Sequence, residues 1–214
     1  LEVRPHGFFA VPRIWEKFYS RIDLAMREAS APGRLAYRWA LSVGTRRAEA
    51  VLEGRPVSAR LEAAYRLAHA LVLRPVKTLL GLERLRFAVT GAAPISPALI
   101  QWFRALGVPL REAYGLTEAS GLAAIAPEGR YRLGWVGSWS DAVAMRLSDE
   151  GEILIRGPHV FKGYLNRPEQ TSEAFVDGWY RTGDVGEIAD GQLRITDRMK
   201  DIIITAGGKN ITPS

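Results

Sequence analysis

Leu85-Arg-Phe-Ala-Val-Thr90, followed by Gly91-Ala-Ala-Pro94, Ser96-Pro97 and Val108-Pro-Leu-Arg-Glu-Ala113, decides the fold class. The first run is short and apolar and stops at Gly91, which predicts a buried strand. Ser96 is a good N-cap and Pro97 suits a first helical turn, so the pattern predicts a helix to about Leu106. Val108 to Ala113 reads as the next strand. Strand, helix, strand in this rhythm implies a parallel βαβ unit, because parallel neighbours need a crossover connection.

Upstream the chain reads as helical. Pro12 opens a segment whose apolar residues Ile14, Trp15, Phe18, Tyr19 and Ile22 recur at three- and four-residue steps. Pro32-Gly33 is expected to break it. Tyr37 to Leu52 reads as a second helix ended by Gly54, and Ala59 to Leu73 as a third ending before Pro75. After about Glu128 the helical period is lost. Val143–Leu147, Ile153–Ile155, Val185–Ile188, Leu193–Ile195 and Ile202–Ile204 are short runs between Asp-Glu-Gly or Asp-Gly turns, as in a small antiparallel β region. A boundary is expected near Ala126–Arg130. The fold class is therefore α/β: a parallel βαβ portion followed by a small antiparallel β subdomain, a distorted barrel.

The composition narrows the function. Apolar residues make up 47% of the 214 and charged residues 24%, which fits a globular protein with a real core. The absence of cysteine excludes disulfides, thiolate metal sites and a Cys nucleophile. No run approaches about 18 apolar residues, so no membrane-spanning helix is expected. No signal peptide is visible, and the chain opens on Leu1 rather than Met, as a piece of a longer chain would. The net charge of +6 comes almost wholly from arginine, with five lysines against twenty-four arginines. The arginines are scattered among alanine and leucine on helices, and no RNP aromatics, zinc-finger spacing or basic heptad accompanies them. Solvated helix faces explain them and no nucleic-acid partner is expected. An anionic membrane surface is the other partner such charge suits. The histidines His6, His69 and His159 are scattered, and no metal or Ser/His/Asp arrangement follows from their spacing.

Four motifs carry the chemistry. Thr90-Gly-Ala-Ala-Pro94 joins strand to helix with small residues that let a ligand approach the backbone, although an ordinary tight turn uses the same residues. Tyr114-Gly-Leu-Thr-Glu118 follows the next strand, at the carboxyl end of the sheet where open α/β folds bind ligands. Asp177-Gly-Trp-Tyr-Arg-Thr-Gly-Asp184 comes later; a lone Thr-Gly-Asp is more often a turn aspartate. Asp197-Arg-Met-Lys-Asp201 is the fourth. Between the second and third stand Gly151-Glu-Ile-Leu-Ile-Arg-Gly157 and Gly163-Tyr164, which suit turns and serve mainly the fold. Gly208-Lys209 is not a phosphate-binding Walker loop, because Ile203 and Asn210 stand where that motif needs glycine and Ser or Thr.

In this order and spacing the motifs strongly resemble those of the ATP-dependent adenylate-forming (AMP-binding) superfamily, over essentially the whole chain. Phe9-Ala-Val-Pro-Arg-Ile-Trp-Glu-Lys17 and Ala206–Pro213 look most like bacterial long-chain fatty acid–CoA ligases. The resemblance implies three segments: residues 1–128 as the C-terminal half of an α/β subdomain, 129–197 as the antiparallel subdomain, and 198–214 as a hinge and the start of a C-terminal lid. It also implies ATP, Mg2+ and CoA as cofactor and co-substrates, with a fatty acid as partner.

For single residues the resemblance implies the following. Gly91, Ala92 and Ala93 line the acyl and adenine pocket. Tyr114, with Gly115 beside it, stacks on adenine. Thr117 hydrogen-bonds phosphate and Glu118 holds Mg2+. Asp184 accepts hydrogen bonds from both ribose hydroxyls, Arg198 contacts ribose or phosphate, and Lys200 is the pivot of the lid. Catalytic roles fall on Thr117, Glu118 and Lys200. Lys209 is left without an assigned role, and Ile204 stands where some relatives carry lysine. A phosphate loop upstream of Leu1 and a lid lysine after Ser214 are expected, so these residues alone are expected to be inactive. A cytoplasmic location, with peripheral contact at the inner membrane face and a homodimer both left open, completes the expectation. Aryl or medium-chain acids as substrate, a non-catalytic adenylate-binding protein, and a fragment without activity of its own are the alternatives.

Overall fold

The computed structural model describes residues 3–127, 131–199, 203–204 and 210–211. It divides into two units, Leu1–Glu112 with Ala126–Gly134, and Ala113–Ile125 with Trp135–Ser214.

The first unit runs β1 (Gly7–Ala10), α1 (Pro12–Glu28), α2 (Ala31–Leu52), α3 (Ala59–Ala68), α4 (Arg74–Leu80), β2 (Phe87–Thr90) and α5 (Pro97–Ala105) into β3 (Leu110–Tyr114). Strands β1 and β2 are parallel, from Gly7 opposite Phe87 to Ala10 opposite Thr90. Strands β2 and β3 are parallel too, with Ala88 opposite Leu110 and Thr90 opposite Glu112. The expected βαβ unit is thus present, with α5 as its crossover. Strand β1 was not foreseen, because Gly7-Phe-Phe-Ala10 is four residues long and has no alternation to betray it.

Aromatic packing organises this core. Trp15 on α1 is fully buried and meets the edges of Phe8 at 5.4 Å and Phe103 at 4.9 Å. A buried indole needs a partner for its N–H, and Trp15 Nε1 donates to the Ala10 carbonyl at 3.2 Å. Trp102 likewise donates to the Tyr37 hydroxyl at 3.0 Å. Helices α2 and α5 approach so closely at Gly44 that a Cβ there would lie 2.3 Å from the Ala105 carbonyl oxygen.

Two prolines behave differently from the sequence expectation. Pro32 and Gly33 do not break the helix; they lie in the first turn of α2, which Ser30 caps by accepting a hydrogen bond from the Gly33 N–H at 3.4 Å. A proline in a first turn removes an N–H that had no helical partner. Nor does the third helix end before Pro75. Residues His69–Leu73 form a π-helical turn, and α4 continues from Arg74 until Gly81 takes φ 73°. The wider turn makes room for a ring that would clash with the carbonyl four residues back in a regular helix.

The second unit holds the end of β3 and then β4 (Ala124–Ile125), β5 (Ala144–Leu147), β6 (Glu152–Arg156), the short α6 (Pro168–Glu173), β7 (Phe175–Val176), β8 (Trp179–Ala189) and β9 (Gln192–Arg198). A backbone pair, β10 (Ile203–Ile204) with β11 (Asn210–Ile211), follows. Strands β5 to β9 form an antiparallel sheet in the order β5-β6-β8-β7, with β9 also on β8. The eleven-residue β8 is shared between β6 and β7 along its first half and β9 along its second. Its register shifts at Val185/Gly186, and such a bulge bends a strand. The curled antiparallel sheet therefore follows from one long strand that changes partners. Its core gathers Tyr114, Ala119, Val136, Ile153, Ile155 and Leu193.

Two outcomes test the first unit. Replacing Gly44 by Ala should gain roughly 1 kcal/mol from helix propensity. The clash with a backbone carbonyl should outweigh this, giving a net loss of about 1–3 kcal/mol in urea unfolding; a stabilised variant would contradict the close helix contact. Glu112 is partly buried and accepts from the Tyr131 hydroxyl at 2.6 Å. Burial, the largest cause, raises its carboxyl above the ordinary 4.5 despite the hydrogen bonds from Tyr131 and Gly134. Its protonated form is thus favoured by folding, a contribution complete below pH 4.5 and lost as pH rises through the elevated folded value. The stability of the native protein relative to Glu112→Gln should therefore fall as pH rises above 4.5; a flat or rising difference would contradict this.

Candidate active site

The second unit gathers two carboxylates, each met by a phenol. Tyr114 ends β3 and is only 9% exposed. Its hydroxyl donates to Asp184 Oδ2 at 2.7 Å. Asp184 lies on β8 directly across from Arg198 on β9, and Arg198 Nε stands 3.2 Å from Asp184 Oδ1. The aspartate side chain is 14% exposed, the arginine 66%. Thr182 fixes the backbone at this point. Its hydroxyl donates to the Ile153 carbonyl at 2.8 Å and accepts from the Asp184 N–H at 3.1 Å. The buried Glu152 accepts from the Gly183 N–H and pairs with Arg181, both at 3.0 Å. The Thr182-Gly183-Asp184 segment is thereby held from two sides.

The loop after Tyr114 closes tightly on itself. A Cβ on Gly115 would fall 1.6 Å from the Gly121 carbonyl oxygen, so no side chain fits there. Thr117–Ala119 form a single 3-10 turn, in which Thr117 is exposed and Glu118 half-buried. Segment 157–164 borders this turn. The Phe161 N–H donates to the Glu118 carbonyl at 2.8 Å, and the Ser120 hydroxyl donates to the His159 carbonyl at 2.7 Å. The Tyr164 hydroxyl donates to Glu118 Oε1 at 2.9 Å.

The phenols here keep their protons. Burial, and then the negative charge of Asp184, push Tyr114 far above its ordinary value. Burial first, then its hydrogen bond to Tyr164, raises Tyr180. Burial, followed by the bond to Glu118, raises Tyr164. Each is therefore a fixed donor at neutral pH. A carboxylate offers about four lone-pair positions, and Tyr114 and Arg198 each occupy one oxygen of Asp184. Each oxygen can still accept a hydroxyl, which suits a vicinal diol.

Of the residues singled out from sequence, Tyr114, Gly115, Thr117, Glu118, Asp184 and Arg198 all belong to this unit. Gly91, Ala92 and Ala93 belong to the first unit, in the turn after β2. Ala92 there takes φ 68°, uncommon for a residue with a Cβ. Lys200 and Lys209 lie outside the described residues. Sequence reasoning gave Tyr164 and Glu152 to the fold and Thr182 no role of its own. Tyr164 is 46 positions from Glu118 and Glu152 is 31 from Gly183, so spacing alone carried no signal. Among the described residues no three His, Asp or Glu side chains cluster as a metal site, and no helix is long and apolar enough to cross a membrane.

Solved structures of similar fold are adenylate-forming enzymes. ATP-bound MatB from Rhodopseudomonas palustris superposes with a TM-score of 0.58 at 33% identity, over 69% of this chain and 32% of that one. A Mycobacterium tuberculosis fatty acyl CoA synthetase gives 0.52 at 33% identity, over 72% and 32%. In sequence, the chain is 42% identical over 216 residues to the putative fatty-acid–CoA ligase fadD11 of Mycobacterium tuberculosis, across 100% of this chain and 38% of that protein. It is 38% identical to the long-chain-fatty-acid–CoA ligase FadD15 of Mycobacterium bovis, across 99% and 35%. It thus spans little more than a third of the length of these curated relatives. Residues 1–165 match the family described as AMP-binding enzyme. The chain belongs to that family.

A double-mutant cycle tests the tyrosine–aspartate contact. Tyr114→Phe and Asp184→Asn should show a coupling energy of about 1 kcal/mol or more in chemical unfolding, since a hydrogen bond to a charged group exceeds a neutral one. Strict additivity would mean that the two side chains do not interact in solution.

Proposed function

We propose that these residues serve ATP-dependent activation of a long-chain fatty acid, followed by transfer of the acyl group to CoA. In the first half-reaction a fatty carboxylate oxygen attacks the α-phosphate of ATP. The bond to the β-phosphate oxygen breaks, giving acyl-adenylate and pyrophosphate. In the second, the CoA thiol attacks the acyl carbonyl, loses its proton, and AMP leaves. Such chemistry rests largely on positioning and charge stabilisation.

The observation that carries this reading is Asp184, fixed by Tyr114, Thr182 and Arg198 with acceptor capacity left for a ribose diol. Tyr114 is assigned to adenine, Thr117 to phosphate, Arg198 to ribose or phosphate, and Gly91, Ala92 and Ala93 to the acyl and adenine pocket. Lys200 is assigned to the lid pivot. Mg2+ prefers one or two carboxylates completed by phosphate oxygens. Glu118 fits that preference: its carboxylate partner is a neutral phenol, so its negative charge stays available. When bound, the ion would neutralise charge on the phosphates. The preference for a fatty over an aryl acid is supported by the names of the curated relatives, fatty-acid–CoA ligases at 38–42% identity.

Pyrophosphate exchange tests the reading in the full-length protein. Label should enter ATP from pyrophosphate in the presence of palmitate, several-fold faster than with benzoate or octanoate. Exchange with benzoate alone would move the substrate to the aryl acids, and exchange with none of them would overturn the adenylation reading.

A further inference from the structure

Glu118 has a second-order requirement that the family motif does not itself meet. A glutamate has three side-chain torsions, and freezing such a side chain costs on the order of 1–2 kcal/mol. A half-buried carboxylate on a one-turn helix therefore holds a cation well only if something else fixes its direction. Nothing within Thr117–Ala119 does so. The restraint comes from 46 residues downstream, where the Tyr164 hydroxyl donates to Glu118 Oε1 at 2.9 Å.

Tyr164 is itself held on three sides. Its backbone N–H donates to the Thr171 hydroxyl at 2.9 Å. Its ring meets Phe161 edge-on at 4.8 Å, and Phe161 in turn stacks on Phe175 at 5.7 Å. Its hydroxyl is hydrogen-bonded by Tyr180, four residues before Asp184 on β8. The same segment also holds the backbone of the turn, through the Phe161 N–H on the Glu118 carbonyl and the Ser120 hydroxyl on the His159 carbonyl. Backbone and side chain of Glu118 are thus fixed from one direction, and the phenol occupies one carboxylate oxygen while leaving Oε2 to a ligand.

We propose that Tyr164 is a positioning residue that fixes the Glu118 carboxylate for a divalent cation held with ATP. The proposal rests on the reading of Glu118 as the metal carboxylate. The experiment uses Mn2+, visible by electron paramagnetic resonance, titrated into the full-length protein with a non-hydrolysable ATP analogue. Native protein, Tyr164→Phe and Glu118→Gln are compared. Tyr164→Phe should raise the Mn2+ dissociation constant by about tenfold, the effect of losing one hydrogen bond to a charged group. Its melting temperature, and its affinity for the analogue in EDTA, should match the native protein. Glu118→Gln should weaken Mn2+ at least as much. Native Mn2+ affinity in Tyr164→Phe alongside a loss in Glu118→Gln would overturn the positioning role and leave the metal carboxylate standing. Native affinity in Glu118→Gln would overturn both. If Tyr164→Phe lowers melting temperature and metal-free analogue binding together with Mn2+ affinity, Tyr164 is structural and the proposal fails.

Discussion

The Asp184 carboxylate is the constraint on which the second unit depends. It sits on the strand that every neighbour of the antiparallel sheet except β5 pairs with, and it is mostly out of water. Desolvating a carboxylate without partners is costly. The structure answers with a phenol on one oxygen, a guanidinium on the other, and a threonine hydroxyl on the backbone N–H. Each of these comes from a different place: the end of β3, β9, and β8 itself. Holding one charge in place therefore ties the loop after β3 to the long strand and to the strand after it. The bulge at Val185/Gly186 lies immediately beyond.

Glu118 repeats the theme at lower burial, again with a tyrosine donor. The two pairs are crossed in sequence. Tyr114 lies four residues before Glu118 yet serves Asp184, while Tyr180 lies four residues before Asp184 and reaches Glu118 through Tyr164. Chains of hydrogen bonds polarise one another in a low dielectric. Tyr180 hydrogen-bonds Tyr164 on the Glu118 side and feels the charge of Asp184 on the other, so the two carboxylates are neighbours in one electrostatic environment.

The sequence carried the architecture further than it carried the site. Strand, helix, strand around Gly91 was legible because capping, proline placement and strand length all agree locally, and the antiparallel strands because Asp-Gly turns punctuate them. Pro32 and Pro75 misled because proline breaks a helix only in its interior. Whether a proline lies in a first turn depends on a cap at Ser30 or a π-helical turn at His69–Leu73, and neither follows from the residues nearby. The identities of Tyr114, Glu118, Asp184 and Arg198 were legible through motif resemblance. Their partners were not, since Tyr114 and Asp184 are 70 positions apart and meet only through the tertiary fold. Tyr164 was visible as part of a motif, but its use as a donor to Glu118 is a fact of three dimensions.

The central claim is that Asp184 is the acceptor for a ribose diol, and the most direct measurement of it compares ATP with 2′-deoxyATP in the full-length protein. Removing one hydroxyl leaves a buried acceptor unpaired, so the native protein should prefer ATP in kcat/KM by about tenfold or more. Asp184→Ala should lose affinity for both nucleotides and bring the preference close to unity. A preference unchanged by Asp184→Ala would place the ribose contact elsewhere and contradict the account.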